Sequence, residues 1–309
     1  MSALKRIAIS IGDLNGVGIE IALRAHDKVR HQCRPLYCIS RAMAEQACTL
    51  LQTDLPEDFE CAGVEGTFQI RPGIVDSSSG RYSYDSFVKG VGLVRDAQAD
   101  ALVTLPIHKE AWMLCGIGYK GHTDALRDFF KHDAIMMLGC EKLYVALYTE
   151  HIPLREVAGR IRSEFLVPFL IQFYESTGTD SAAVLGLNPH AGDNGVLGSE
   201  EREIEKAIAV ANERIGREVY FGPVVPDIAF TPRFRQHHRT IIAMYHDQGL
   251  APLKALYFDE SINVSLGLPI IRTSVDHGTA FDIAYQNRAS LSSYLNAVDA
   301  ALRFTAVKG

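Results

Sequence analysis

The sequence predicts an α/β protein with a largely parallel sheet, divided into two domains. Three observations carry this expectation. Short apolar, β-branched runs alternate with amphipathic helical stretches along the whole chain. Most of these runs end in a burst of Gly, Pro, His or carboxylate, as loops at the carboxyl edge of a parallel sheet do. The length of 309 residues, with 47% hydrophobic content, lies where one hydrophobic core begins to divide into two.

The elements follow in order. Arg6–Ile11 reads as a strand, the turn Gly12-Asp13-Leu14-Asn15-Gly16-Val17-Gly18 comes next, and a helix runs from Ile19 to about Val29. The glycines are spaced GxxxGxG, so the GxGxxG dinucleotide fingerprint is absent. The turn either approaches a ligand or uses its glycines for backbone geometry alone. A strand at Pro35–Ile39 leads to a helix over Arg41–Gln52, and β-like pieces are expected at Phe59–Val64 and Phe68–Val75. Asp76-Ser77-Ser78-Ser79-Gly80 precedes a helix over Tyr82–Gln98, with capping as the simplest role for its Asp and Ser and an anion site as the alternative. Asp100–Thr104 reads as a buried strand ending in Leu105-Pro106-Ile107-His108-Lys109, and Gly121-His122-Thr123-Asp124 opens a helix. That opening is a capped helix start or an anion site built on free N–H groups.

Strand and helix continue to alternate: Leu143–Tyr148, then Ser163–Ser176, Ala182–Leu187 and Ser199–Ile215. Tyr220–Pro232 reads as an extended connector. The strand Thr240–Met244 then runs into Tyr245–Lys254 (YHDQGLAPLK), where Gly249 looks like a breaker. Asn263–Pro269 and Ile270–Thr273 lead to Asp276–Asp282, and a helix over Ser290–Phe304 closes the chain.

Composition excludes several classes of partner. The chain has 31 basic and 37 acidic residues, for a net charge of −6, so neither nucleic acid nor an anionic membrane is expected. No apolar run approaches the ~20 residues that span a bilayer. The start, Met1–Arg6, shows no signal-peptide pattern. Six cysteines are scattered without a close CxxC pair, as expected of reduced, mostly buried thiols in a cytoplasmic protein.

Three histidines share one context. His151, His190 and His246 each fall just past an apolar strand, in segments containing Pro or Gly. Residue types alone leave two readings: a divalent ion with open positions for substrate, or imidazoles satisfied in solvent or core. His26, His31, His132, His237 and His238 lie in polar surroundings and are expected to be solvated. Lys254 and Arg272 flank Asn263, and with His122 and Thr123 they form an anion-binding set or, singly, ordinary ion pairs.

GDLNGVGIE, GHTD, NPHAGDNG, YHDQGLAPLK and NVSLGLPIIRTSVDHGTAFDIA, in this order and at these separations, resemble the 4-hydroxythreonine-4-phosphate dehydrogenase (PdxA) family of vitamin B6 biosynthesis. The likeness covers nearly the whole chain. It implies a two-domain fold like the isocitrate and isopropylmalate dehydrogenases, not Rossmann, with a cleft between domains and a homodimer completing each site. The expected division is 1–128 with 262–309 for the first domain and 129–261 for the second. By resemblance, His151, His190 and His246 are metal ligands, the last supplied across the dimer. His122, Thr123, Lys254, Asn263 and Arg272 bind substrate. His277, Gly278, Thr279 and Asp282 belong to a loop for NAD or NADP. Three departures stand out. Leu14, Asn15 and Ile19 change the usual GDPAGIGPE, Tyr285-Gln286-Asn287-Arg288 stand where glycines commonly follow DHGTAFDIA, and Glu150 replaces a threonine before His151.

The implied reaction is NAD(P)-dependent oxidation of 4-phosphohydroxy-L-threonine to 2-amino-3-oxo-4-phosphooxybutanoate. That acid decarboxylates to 3-amino-2-oxopropyl phosphate, toward pyridoxine 5'-phosphate. A divalent zinc, magnesium or cobalt ion is implied, and Asp227, Asp247 and Lys254 are the candidates for the group that takes the hydroxyl proton. The alternatives are a sister dehydrogenase of another four-carbon hydroxy acid phosphate or a cyclic diol, a metal-dependent hydrolase or phosphotransferase, and a non-catalytic phosphometabolite-binding protein.

Overall fold

The computed structural model of the chain describes residues 4–307. Met1–Ala3, part of the expectation about the N-terminal start, lie outside the described residues. The strands are β1 (Arg6–Ser10), β2 (Arg34–Cys38), β3 (Ala101–Thr104), β4 (Ile135–Cys140), β5 (Leu143–Leu147), β6 (Ala182–Leu185), β7 (Tyr220–Val224), β8 (Thr240–Ala243), β9 (Ile262–Leu266) and β10 (Arg272–Val275). The chain divides into two compact units at 132/133 and 267/268. The boundaries expected from sequence lie a few residues earlier. The difference assigns β9 and Asn263 to the second unit, where β9 pairs with β4.

In the first unit the strands are parallel in the order β2-β1-β3-β10. Nearly every residue of these strands is buried, which explains the largely apolar runs of β1, β2 and β3: a parallel sheet covered on both faces has no polar side to alternate with, and β10 differs in burying Arg272, Thr273 and Ser274. The helix after β2, Arg41–Leu51, is capped by Ser40, whose side chain accepts from the Met43 N–H. The serine cluster does cap a helix, but that helix starts earlier than expected, at Ser77, because the Asp76 carboxylate accepts the Ser78 N–H at 2.6 Å. The β-like pieces expected over 59–64 and 68–75 are not strands; a single bridge, Tyr37 to Cys61, is what forms there.

The second unit is a mixed sheet in the order β9-β4-β5-β8-β6-β7. Sequence reasoning missed β4, whose six residues are all buried and therefore lack a two-residue alternation. It runs antiparallel to both β5 and β9, whereas β5–β8, β8–β6 and β6–β7 are parallel, so the expectation of a largely parallel sheet holds apart from β4. The supposed connector at 220–232 contains β7, at the end of the sheet order, where Pro223 is tolerated, and a short helix at Pro226–Ala229.

The YHDQGLAPLK segment is also corrected. From His246 it is a helix, running to Tyr257, with Gly249 inside it. A Cβ on Gly249 would stand 2.5 Å from Val145 Cγ1 and 2.8 Å from Ala243 Cβ. The glycine is there so that this helix can lie against β5 and β8, and it does not end the helix. Beneath it lies an apolar core that includes Leu138, Val145, Leu185, Ile241, Ala243 and Leu253. No helix of the described residues is long and apolar enough to cross a membrane.

Candidate active site

In the second unit β5, β8 and β6 are consecutive and parallel, so their carboxyl ends share one edge. His151 follows β5, His246 opens the helix after β8, and His190 follows β6. Side chains lace these ends together. Thr149 Oγ1 donates to the Met244 carbonyl at 2.6 Å, and Gln248 accepts the Met244 N–H while its Nε2 donates to the Gly186 carbonyl, both at 2.7 Å. The His151 and His246 rings lie 5.4 Å apart, centroid to centroid. His246 Nδ1 is 2.7 Å from an Asp247 oxygen, which orients the ring and leaves Nε2 as its other ligating atom.

His190 sits differently. His190, Ala191, Gly192, Asp193 and Asn194 all have left-handed backbone, which disfavours any residue with a Cβ. The buried Glu201 holds the base of this turn. One of its oxygens accepts the N–H groups of Leu187 and Asn188 at 2.9 and 2.7 Å, and the other accepts Asn188 Nδ2 at 3.0 Å. Among the described residues no group of three or more His, Cys, Asp or Glu side chains is placed to hold a metal. The structure thus pairs His151 with His246 and puts His190 on the neighbouring strand end, outside a closed three-ligand set. Imidazoles from three adjacent strand ends are the right donors for a borderline divalent ion, and the paired rings fit two ligands of one. Glu150, expected beside a metal, accepts the Met136 N–H of β4 at 3.2 Å.

The anion-binding candidates divide between the units. In the first, His122 begins the helix His122–Phe130 and is packed between Phe87, at 4.8 Å, and the edge of Trp112, at 5.6 Å. Its Nε2 is buried without a hydrogen-bond partner. Burial, reinforced by the nearby Arg272 charge, pushes the imidazole pKa well below its usual value, so His122 is neutral. Arg272, at the start of β10, is itself buried, and its Nε and Nη2 donate to Thr104 Oγ1 at 3.1 and 2.7 Å. Burial lowers the guanidinium to about 9, still charged at neutral pH. Thr123 is half-buried in the first helical turn.

In the second unit Lys254 lies two turns beyond His246 on the same helix, its Nζ 5.3 Å from the Phe258 ring centre. Asn263 pairs with Leu138 across β9 and β4, and its Oδ1 is buried without a partner. Of the other candidate bases, Asp247 is exposed and engaged with His246, and Asp227 is exposed on its short helix.

The expected cofactor loop belongs to the first unit and rests on the GDLNGVG turn. The Val17 N–H donates to the Thr279 carbonyl at 3.0 Å, and Phe281 stacks on His108 at 4.9 Å. A Cβ on Gly16 would meet the Thr279 carbonyl oxygen at 2.7 Å, so the turn's glycine serves close packing against this loop. His277 Nδ1 lies 2.9 Å from the Gly278 carbonyl oxygen while its Nε2 is buried without a partner; Gly278 and Asp282 are exposed. An orphaned imidazole nitrogen beside an open glycine backbone and an exposed carboxylate fits the polar face of a dinucleotide.

Sequence reasoning missed several residues of this region. Asp13 is fully buried, bonded to Ser79 and to the Asn15 N–H, and burial raises its pKa. Asn15 ties down the 71–74 segment, accepting the Arg71 N–H and donating to the Ile74 carbonyl, each at 2.8 Å. His26, expected in solvent, is buried on the inward face of the first helix between Tyr37 and Asp58. His238 is half-buried against Phe221 and Phe234, whereas His31, His132 and His237 are exposed as expected.

The chain matches the family model described as "Pyridoxal phosphate biosynthetic protein PdxA" over residues 31–301. The 4-hydroxythreonine-4-phosphate dehydrogenase of Sulfurimonas denitrificans is 62% identical over 297 residues, covering 96% of this chain and 97% of that protein. The crystal structure of the Klebsiella pneumoniae enzyme of that name superposes with a TM-score of 0.82 at 30% identity, covering 97% of this chain and 99% of that one. A β-decarboxylating dehydrogenase from Thermococcus kodakarensis shares the fold at 16% identity, with a TM-score of 0.53 over 98% of this chain and 84% of that one. The expectation of an α/β fold of the isocitrate dehydrogenase type is therefore met.

Proposed function

The chain belongs to the PdxA family of pyridoxal phosphate biosynthetic proteins, and on that premise we propose that it is a dehydrogenase of 4-phosphohydroxy-L-threonine. Its C3 hydroxyl is oxidised to the ketone, giving 2-amino-3-oxo-4-phosphooxybutanoate, which loses CO2 to form 3-amino-2-oxopropyl phosphate. NAD or NADP supplies the hydride acceptor. A divalent ion held by His151, His190 and His246 supplies Lewis acidity at the substrate hydroxyl. A homodimer with shared sites is part of the proposal.

The observation that carries this reading is a buried guanidinium, Arg272, held by Thr104 in the same unit as a buried imidazole, His122, whose Nε2 has no partner and on which the Arg272 charge acts. Such a set is suited to a phosphate: one group gives charge, the other a single hydrogen bond. Thr123 adds a hydroxyl in the same first turn. Asn263 and Lys254 are assigned to the remaining polar groups of the substrate, which orients its C–H bond toward the acceptor. Lys254, as its neutral amine, is the preferred proton acceptor, because the Asp247 carboxylate is engaged in orienting His246.

Absorbance at the reduced-nicotinamide band tests the reading, with purified protein, 4-phosphohydroxy-L-threonine, either dinucleotide and added divalent metal. Reduction that a chelator abolishes and metal restores is the expected result. Turnover of the substrate without any dinucleotide would overturn the assignment in favour of a hydrolase.

A further inference from the structure

Residues 277–287 contain three non-glycine residues with left-handed backbone: Ala280 (φ 43°), Tyr285 (φ 61°) and Asn287 (φ 57°). Such backbone is disfavoured for residues with a Cβ, so a segment this rich in it has to be held from outside. The turn after β1 supplies the hold. Besides the Val17–Thr279 bond and the Phe281–His108 stack, Tyr285 donates its hydroxyl to the Leu14 carbonyl at 2.7 Å. Beyond the segment, the Glu20 carboxylate accepts the Ala289 N–H at 3.2 Å and Arg24 donates to the Ala289 carbonyl at 2.8 Å.

Leu14 and Tyr285 are both positions where this chain departs from the pattern of the family it resembles. A glycine at 285 would adopt the same φ without strain but could not reach across to the turn. The tyrosine accepts an unfavourable backbone in exchange for an anchoring hydroxyl.

We propose that Tyr285 is a positioning residue for the dinucleotide: its bond to the Leu14 carbonyl fixes residues 277–285 in their binding conformation before the dinucleotide arrives. The inference rests on the reading of His277–Asp282 as the dinucleotide loop. Preorganisation of this kind shows in binding, because a loop already ordered loses less entropy on complex formation.

The test compares Tyr285→Phe with the wild-type protein by two readouts: dissociation constants for NAD and NADP by calorimetry, and amide hydrogen exchange over 277–287 without ligand. The substitution removes one hydrogen bond and keeps the ring. Expected are about fivefold weaker dinucleotide binding and faster exchange confined to this segment. Tyr82→Phe, which deletes a hydroxyl bonded to Ser40 elsewhere in the same unit, should change neither. Wild-type affinity and exchange in Tyr285→Phe overturn the proposal. If His277→Ala and Asp282→Ala both bind dinucleotide normally, the reading of the loop fails instead, whatever the exchange data show. Should Tyr285→Phe not fold, Tyr285→Gly removes the same hydroxyl while keeping the φ of 61° without strain, and wild-type dinucleotide affinity with wild-type exchange there would equally overturn the proposal.

Discussion

Arg272 Nη2 lies 2.7 Å from the hydroxyl oxygen of Thr104, and its Nε lies 3.1 Å from the same atom, across the β10–β3 pairing. Both side chains are buried, so the threonine fixes the plane of the guanidinium where no water competes. Thr104→Val keeps the shape of the side chain and removes the acceptor. It should raise KM for the phosphorylated substrate at least about tenfold, since a hydrogen bond to a charged group contributes about 1.5–3 kcal/mol and two are lost. Thr104→Ser should restore most of the affinity. Steady-state kinetics of the two variants check this.

The lowered pKa of His122 has a consequence for stability. An unfolded chain protonates this imidazole below about pH 6.5, whereas the folded chain keeps it neutral to much lower pH. Between those values the unfolded state binds more protons, so stability falls as the pH falls, by at most about 1.4 kcal/mol per pH unit for this one group. His122→Phe should flatten that part of the curve. Urea midpoints at pH 7 and pH 5 for both proteins measure it, and equal slopes would refute the neutral imidazole.

His246 is the ring that Asp247 orients and that faces His151. His246→Ala should lower bound divalent metal and dehydrogenase activity together. Asp247→Asn, which weakens the orientation and keeps the ligand, should do less, within the 10–100-fold range typical of partners behind metal ligands. Metal content by elemental analysis decides; full stoichiometry in His246→Ala would remove this histidine from the ligand set.

Gly249 has no room for a methyl group against Val145 and Ala243. Gly249→Ala should destabilise the protein by about 1–3 kcal/mol through overpacking, despite the better helix propensity of alanine. Because the same helix carries His246 and Lys254, activity should fall as well. Chemical denaturation and activity on the same sample separate the two effects.

Much of the architecture was legible because it is local. The alternation of buried strands with helices, and the histidines just past β5, β6 and β8, come from periodicities and breakers within short windows. The motifs that mark the family are contiguous, and so are the candidate residues inside them. What only the tertiary structure decided depends on contacts between distant segments. β4 is buried on both faces and runs antiparallel to its neighbours, and nothing in its own six residues records a direction. Gly249 looks like a breaker until Val145 and Ala243 are seen against it. His26 has polar neighbours in sequence and buried ones in space. The seat of the 277–285 loop joins Leu14 to Tyr285 across 271 positions of chain. Periodicity reports which face of an element is buried, but not which partner buries it; that choice is made when the whole core packs at once.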